Sequence, residues 1–275
     1  DLLNFYISID YLLKIVNSID SDLFKLININ EEDKEEFNNL YEEFVKIFKV
    51  SNLYKRTINI FNEDVFEDID NASKTYEKYK SMFYTICYEF SNIIKKTDKK
   101  TYGDSELLVE YEWNDRDSVY YVSTTDARHK KLKLGLDKYK KCIIKNEVYD
   151  YNFEIKASSL KYKNTSAGGK TKIINDYINE LSDKLYKAKL GLERVVKSKY
   201  EMVLRDLYKY IPLLNKIVEF VGNVDCAIST ATNYIKYNYC KPVLDSSDCK
   251  SYIDCRKIRH PIIERILNSS LYVTN

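Results

Sequence analysis

Apolar residues recur every third or fourth position through residues 171–211, a stretch that contains no proline. Alternating steps of four and three are the spacing of a helix that packs along another helix. The spacing predicts one helix of about 60 Å, too long to lie over a compact core, so it needs a helical partner. The apolar positions are interrupted once, at Lys199, which we predict to be a place where the helix flexes. They are Ile174, Ile178, Leu181, Leu185, Ala188, Leu192, Val195, Val203 and Leu207.

The partner is predicted earlier in the chain, over residues 69–97. Steps of three and four recur there without interruption, which indicates a second long helix with a single apolar seam. Two such helices can lie antiparallel and bury each other's seams, with residues 98–170 inserted between them. The seam consists of Ile69, Ala72, Tyr76, Tyr79, Phe83, Ile86, Phe90 and Ile93.

The inserted region, residues 98–170, has a different pattern. Apolar and polar residues alternate over 107–113, and after a polar turn a strand pattern resumes over 119–123, which predicts a hairpin. Further strands are predicted over 142–148 and 152–157. The inserted region is therefore expected to be a small antiparallel sheet.

The remaining segments are mostly helical in pattern. Residues 1–68 show amphipathic helices, including a short one over 52–60, and residues 212–250 are apolar over most of the helix surface, as in a buried bundle helix. Residues 251–275 have short, strand-like patterns and give the impression of a chain cut from something longer. The predicted fold is mainly α: a helical core bundle with two long antiparallel helices and a small antiparallel β domain inserted between them.

Composition narrows the class of protein only a little. No apolar run reaches the roughly 18 residues of a membrane span, and no signal-peptide pattern begins the chain, so we expect a soluble, intracellular protein without a membrane partner, its compartment unknown. Cys240, Cys249, Cys255 and His260 lack the close CxxC pairs of common zinc sites, so reduced thiols are favoured over a metal. No nucleophile, base and orienting group can be assembled from two histidines, so catalytic residues are not predicted.

Charge is distributed unevenly. Residues 1–70 carry 16 acidic and 7 basic side chains, whereas residues 128–145 carry eight cations against Asp137 alone, with His129 as a possible further charge. Lysines beside small hydroxyl and amide groups suit phosphate oxygens, and a solvated lysine-rich surface is the alternative. Lys145 and Lys172 share this pattern, and the candidate DNA-backbone contacts are Arg128, Lys130, Lys131, Lys133, Lys138, Lys140, Lys141, Lys156, Ser158, Ser159, Lys161, Lys163 and Lys170.

Two short motifs favour a structural interpretation. Phe61, Asn62 and Glu63 spell the Phe-x-Glu triplet of mismatch sensors, but three residues with a free middle position recur by chance. The sequence from Gly169 to Thr171 reproduces the end of a Walker phosphate loop, yet Asn164 stands where the leading glycine belongs. ATP hydrolysis at Lys170 therefore remains a less favoured alternative.

The C-terminal third resembles the MutS family of DNA mismatch-repair ATPases in four blocks with the family's order and spacing. The Arg-His-Pro-aliphatic-aliphatic-Glu string is the most specific of them, whereas the inserted region matches only in pattern. The blocks are Val221, Val224, Asp225, Cys226, Ala227, Ser229 and Ala231, then Tyr239, Lys241 and Pro242, then Arg259, His260, Pro261, Ile262, Ile263 and Glu264, and finally Tyr272, Val273 and Asn275.

The resemblance implies a role for each segment. Residues 1–68 and 212–250 would be the family's core, 69–97 the ascending and 171–211 the descending lever helix, 98–170 the clamp around duplex DNA, and 251–275 the start of a truncated ATPase domain.

It also implies that Tyr272 contacts adenine in the full-length protein, which would use ATP and Mg and form a homodimer. The phosphate loop would be absent here, so the chain itself is expected to be no enzyme and to hold no cofactor or metal. The alternative is a coiled-coil interaction protein whose lysine-rich head does not bind DNA.

Overall fold

The computed structural model describes residues 1–18, 29–98, 100, 102–103, 105–115, 117–164, 169–244 and 252–266. The chain forms two compact units, Asp1–Val221 and Gly222–Asn275. The protein is 65% helical and contains small antiparallel sheets, which confirms the predicted mainly α fold class. None of the helices within these described ranges is long and apolar enough to cross a membrane.

Three helices form the N-terminal part: α1 (Leu2–Ser18), α2 (Glu31–Ile47) and α3 (Val50–Lys55). A capping box begins α2, because Asn30 Oδ1 accepts from the Asp33 amide at 2.8 Å and Asp33 Oδ2 accepts from the Asn30 amide at 3.1 Å. The helix predicted over 52–60 is wrong in its bounds, since Arg56 adopts a left-handed conformation with φ 52° and ends α3.

A chain of aromatic rings fills the interior of this N-terminal part. Phe44 lies 5.7 Å from Phe5 and 4.7 Å from Phe48, measured between ring centroids. Phe61 lies 5.2 Å from Phe48 and 5.1 Å from Phe66, and its side chain is fully buried. Such ring pairs add stability beyond the area that they bury. Phe61 of the Phe-x-Glu triplet is therefore a core residue.

The two long helices are α4 (Glu67–Thr97) and α6 (Asp176–Leu207). They are antiparallel, since Lys199 near the end of α6 lies 3.1 Å from Asp68 at the start of α4. The prediction that 171–211 is one helix is wrong at both ends. Asn175 caps α6 by accepting from the Tyr177 amide at 2.8 Å, and a 3-10 turn over Tyr208–Tyr210 follows the helix.

The buried face of α6 also departs from the predicted seam. Val196 is buried in place of the predicted Val195, whereas the other apolar residues buried in α6 occupy predicted positions, namely Ile178, Leu181, Leu185, Leu192 and Val203. Val195 and Lys199 are only half-buried. A helix with 3.6 residues per turn drifts away from a strict seven-residue repeat, which is the shift seen here.

The inserted region contains two antiparallel sheets. Strands β1 (Glu110–Asn114), β2 (Val119–Thr125), β5 (Lys161–Asn164) and β6 (Lys170–Ile174) form a four-stranded sheet in the order β1-β2-β6-β5. Strands β3 (Lys141–Asn146) and β4 (Tyr151–Lys156) form a two-stranded sheet. The predicted hairpin pairs as β1 with β2, and the strands predicted around 142–148 and 152–157 are present as β3 and β4.

The inserted region differs from the prediction in two respects. It contains a helix, α5 (Asp126–Tyr139), within the segment expected to belong to a purely β domain. It also extends to Asn175, because residues 170–174 alternate between buried and half-buried positions as strand β6.

The C-terminal helices are α7 (Ile211–Tyr237) and α8 (Pro261–Ile266). The prediction of a helix buried all round is wrong for α7. Only Leu213, Ile217 and Phe220 are buried in it, and Val218 is 70% exposed. The helix α8 replaces part of the strand-like pattern expected beyond residue 250, because Pro261 occupies the first helical position, where its missing N–H costs nothing.

Candidate nucleic-acid interface

All thirteen predicted DNA-backbone contacts lie in the inserted region, on several short elements. Helix α5 contributes five of them, and the remainder lie on the turn and strands that follow it. In chain order they are Arg128, Lys130, Lys131, Lys133 and Lys138 in α5, Lys140 at its C-cap, Lys141 in β3, Lys156 in β4, Ser158 and Ser159 in the following 3-10 turn, Lys161 and Lys163 in β5, and Lys170 in β6.

Helix α5 presents lysines on the face opposite to its core contacts. Leu132, Gly135 and Leu136 are buried. Gly135 packs so closely on α4 that an added Cβ would lie 2.4 Å from Cγ2 of Ile93. The opposite face, at helical spacing, is exposed, and its cations are Lys130, Lys133 and Lys138.

Four of the predicted cations form ion pairs with carboxylates inside the inserted region or at its start. Such pairs lower the net charge that these cations offer to a polyanion. They are Arg128 with Glu106 at 3.7 Å, Lys131 with Asp98 at 3.4 Å, Lys141 with Glu154 at 2.8 Å, and Lys170 with Glu112.

The two predicted serines differ in their surroundings. Ser159 Oγ donates to the carbonyl of Lys156 at 2.8 Å and accepts from Asn175 Nδ2 at 2.8 Å. Because Asn175 also caps α6, Ser159 links the turn after β4 to the start of the long helix. Ser158 is exposed.

The four-stranded sheet has one apolar face and one charged face. Val122 of β2 pairs with Ile173 of β6, and both are buried toward the long helices. The alternate positions point away from those helices, because successive side chains of a strand leave on opposite faces. This outer face carries Glu110, Glu112, Tyr121, Ser123, Lys161, Lys163, Lys170 and Lys172.

Lys172 is absent from the predicted contacts, although it lies beside them on the outer face. Its Nζ sits 3.9 Å above the ring centroid of Tyr121, a cation–π contact. The sequence pattern that could have identified Lys172 is the strand-like alternation of residues 170–174, a segment that the helical spacing assigns to the first turn of a helix.

Acidic and basic groups occupy opposite sides of the outer face. Glu112 of β1 accepts from Lys170, which lowers the pKa of its carboxyl, and it also accepts from the Tyr121 hydroxyl at 2.9 Å. The basic side, on β5 and β6, is the side open to an anion.

Two of the three Walker-like residues lie in a strand rather than in a loop. Lys170 and Thr171 lie in strand β6, and Thr171 Oγ1 donates to Asp126 Oδ1 at 2.6 Å. Among the described residues, no group of three or more His, Cys, Asp or Glu side chains is placed to hold a metal. The predicted adenine contact Tyr272, and Cys249, lie outside the described residues.

His129 was considered above as a possible further charge, but it does not add to the positive charge of the lysine-rich segment. Burial lowers the pKa of its imidazole, and Lys133 lowers it further, so the neutral form is favoured at neutral pH. Its ring packs 4.3 Å from that of Tyr162, between centroids.

The string Arg259–Glu264 organises the second unit locally. Arg259 pairs with Glu264 at 2.9 Å, and it donates to the carbonyls of Tyr237 at 2.6 Å and Asn238 at 3.2 Å. Arg259 thus binds carbonyls at the C-terminal end of α7, where a cation is favourable.

No family model matches the chain. A DNA mismatch repair MutS homologue of Acanthamoeba polyphaga mimivirus is 29% identical over 280 residues, which is 99% of this chain and 24% of that protein. The DNA mismatch repair protein MutS of Clostridioides difficile is 25% identical over 247 residues, 83% of this chain and 24% of that protein. The MutS protein of Clostridium kluyveri is 21% identical over 90% of this chain.

The chain thus spans about a quarter of the length of these curated relatives. Their similarity over most of the chain supports the MutS-family resemblance found in the sequence.

Proposed function

We propose that this MutS-family segment belongs to a DNA mismatch repair protein and holds duplex DNA through nonspecific contacts to the phosphate backbone. The observation that carries the proposal is the placement of the exposed lysines. They lie on α5 and on the outer face of the sheet, in the region that the chain inserts between two long antiparallel helices.

The positive charge of the lysine side chains is suited to nonspecific contacts with the phosphate backbone. Lysine provides a point charge that neutralises phosphate and releases counterions, and such contacts carry no sequence information. The exposed lysines of α5 are spaced by three and five residues, so several can face one strand of the backbone. Binding of this kind is insensitive to a mismatch.

The long helices would act as levers that couple this DNA-holding region to an ATPase domain elsewhere in the parent protein. Support comes from their shared core, in which Phe83, Ile86, Phe90, Leu181 and Leu185 are each at most 2% exposed. Helices joined by such a core move as one body. The parent would use ATP and Mg and form a homodimer, and this chain by itself would be no enzyme.

The test measures the affinity of the protein for a DNA duplex by fluorescence anisotropy at salt concentrations between 50 and 200 mM. We expect affinity to fall steeply with salt and to be equal for matched and mismatched duplexes. The informative variant replaces five lysines of the inserted region by glutamine, four of them exposed and Lys172 half-buried, and we expect it to lose most of its affinity. The lysines are Lys130, Lys133, Lys138, Lys163 and Lys172.

The control replaces five exposed lysines outside the inserted region, so that net charge changes equally. It should retain most of the wild-type affinity, and both variants should keep the wild-type thermal midpoint. Equal losses in the two variants, or no salt-dependent binding by the wild type, would contradict the proposal and favour the coiled-coil alternative. The control lysines are Lys46, Lys55, Lys74, Lys187 and Lys197.

A further inference from the structure

Strand register places four side chains in one row across the outer face of the sheet. Glu110 of β1 is opposite Ser123 of β2, and Ser123 is opposite Lys172 of β6. Lys172 is in turn opposite Lys163 of β5. Residues directly opposite in antiparallel strands share a face and have Cβ atoms about 5 Å apart. The row therefore ends in two adjacent lysines.

The protein offsets the charge of this lysine pair only in part, through the electrostatic effect of Lys172 on Glu112, whose carboxyl pKa it helps to lower. Like charges directly opposite in a sheet destabilise it. Neither Lys163 nor Lys172 forms an ion pair with a carboxylate among the residues that the structure describes, and Lys172 instead lies over the ring of Tyr121. A bound anion would remove the repulsion between the two ammonium groups.

The two-stranded sheet offers a matched pair for comparison. Lys141 of β3 lies opposite Lys156 of β4, in the same cross-strand relation. Here Glu154 lies 2.8 Å from Lys141, and the hydrogen bond from Lys141 lowers the pKa of that carboxyl. The Lys141–Lys156 pair therefore has a direct ion pair with a carboxylate, which the Lys163–Lys172 pair lacks among the described residues.

A buried hydroxyl lies beside the Lys163–Lys172 pair. Ser123 is 2% exposed, and its Oγ has no hydrogen-bond partner within the described part of the chain. Buried polar groups almost always have a partner, and an unpaired one costs stability. A phosphate oxygen accepts hydrogen bonds and would satisfy this hydroxyl while its charge faces the two lysines.

We infer that Ser123, Lys172 and Lys163 form a phosphate-binding site on the outer face, which contacts one backbone phosphate of duplex DNA. The inference rests on the proposed function and narrows it to a particular row of side chains. Glu110, at the far end of the row, repels an anion and confines it to the β6–β5 side. Ser123 and Lys172 are both additions to the contacts predicted from the sequence.

The test compares the double variant Lys163→Gln/Lys172→Gln with the control Lys187→Gln/Lys197→Gln, which removes the same charge from exposed positions of α6 outside the inserted region. Loss of one neutralised phosphate should lower the magnitude of the slope of log affinity against log salt by about 0.9. We expect that change for the first variant and a slope within experimental error of the wild type for the control.

Two further measurements separate binding from folding. Without DNA, the Lys163→Gln/Lys172→Gln variant should unfold at the wild-type temperature or above, because the repulsion is removed. Ser123→Ala should weaken duplex binding at every salt concentration while leaving the salt slope unchanged, because the lost group is uncharged.

The outcomes distinguish the site from the general proposal. Absence of salt-dependent duplex binding by the wild type overturns both. Wild-type binding with an unchanged slope in Lys163→Gln/Lys172→Gln overturns this site and leaves the general proposal standing. Binding of inorganic phosphate that depends on the lysine pair, without any effect of the pair on the duplex slope, identifies a free-anion site and also overturns the inference.

Discussion

The two ends of the α4–α6 helix pair are built differently. At the end beside the inserted region, Phe83, Phe90 and Leu185 belong to one continuous buried cluster that also includes residues of both sheets. At the other end, Lys199 pairs with Asp68, and a cleft of about 670 Å³ is lined by Asp70 and Ser73 of α4 and Leu192 of α6 among other residues. Burial of large aromatic rings fixes the first end, whereas the second buries smaller side chains such as Ile69 and Val203 and adds a partly exposed ion pair that contributes little.

This difference bears on the proposed lever function. Because close-packed interiors have few alternative arrangements, the inserted region and the adjoining helix turns should move as one body. Exposed ion pairs can part and reform at small cost. Adjustment between the helices is therefore expected near Asp68 and Lys199, away from the candidate DNA contacts.

The largest expected loss of stability comes from removing an aromatic ring at the end of the helix pair beside the inserted region. Phe90→Ala deletes a fully buried side chain and should lower the free energy of unfolding by about 3–5 kcal/mol. Urea denaturation followed by circular dichroism measures it. Tyr84→Ala on the same helix is the control, since Tyr84 is 50% exposed, and its effect should stay near 0.5 kcal/mol. Similar losses in the two variants would contradict the contrast between the faces of α4.

A smaller effect is expected where α5 meets α4. In Gly135→Ala, the new Cβ would lie 2.4 Å from Ile93 Cγ2 and 2.6 Å from Thr97 Oγ1. Both neighbours are β-branched, so the helices must separate, and we expect a loss of about 1–3 kcal/mol despite the better helix propensity of alanine.

Gly191→Ala provides the matched control for Gly135→Ala. Nothing lies within 4 Å of an added Cβ at Gly191 in α6. Alanine should therefore stabilise the protein there by up to about 1 kcal/mol. Thermal and urea denaturation of the two variants should give changes of opposite sign, and a stabilising Gly135→Ala would show that α5 does not pack tightly on α4.

The pattern of hydrophobic residues along the chain predicted those elements in which the periodicity is long and regular. The seam of α4 and the alternation that leads into β1 are of this kind. Helix α5 was missed because its buried positions, Leu132, Gly135 and Leu136, are few and one is glycine. Strand β6 was missed because Ile174 fits both the heptad spacing of α6 and the alternation of a strand, and only pairing with β2 and β5 decides between them.

The candidate site shows the same limit. Counting charges located the lysine-rich segment but did not reveal which lysines are neutralised. Lys131 pairs with Asp98 and Lys170 with Glu112, and these partners are 33 and 58 residues apart in the chain. Cross-strand neighbours such as Lys163 and Lys172 follow from register, which local pattern does not determine.

The smallest expected effect on stability is at the end of the helix pair away from the inserted region, where Lys199 is the predicted flexing point of the helix. There Lys199 lies 3.1 Å from Asp68 and 5.4 Å above the Phe66 ring centroid. A double-mutant cycle with Lys199→Met and Asp68→Asn should give a coupling energy below about 1 kcal/mol, because both side chains are partly exposed to water. Raising the salt concentration should reduce it further. A coupling of about 3 kcal/mol, as measured when buried ion pairs are broken, would show that this end is as firmly held as the other. In that case α4 and α6 would not move relative to each other near Asp68 and Lys199, and the proposed site of movement would have to lie elsewhere.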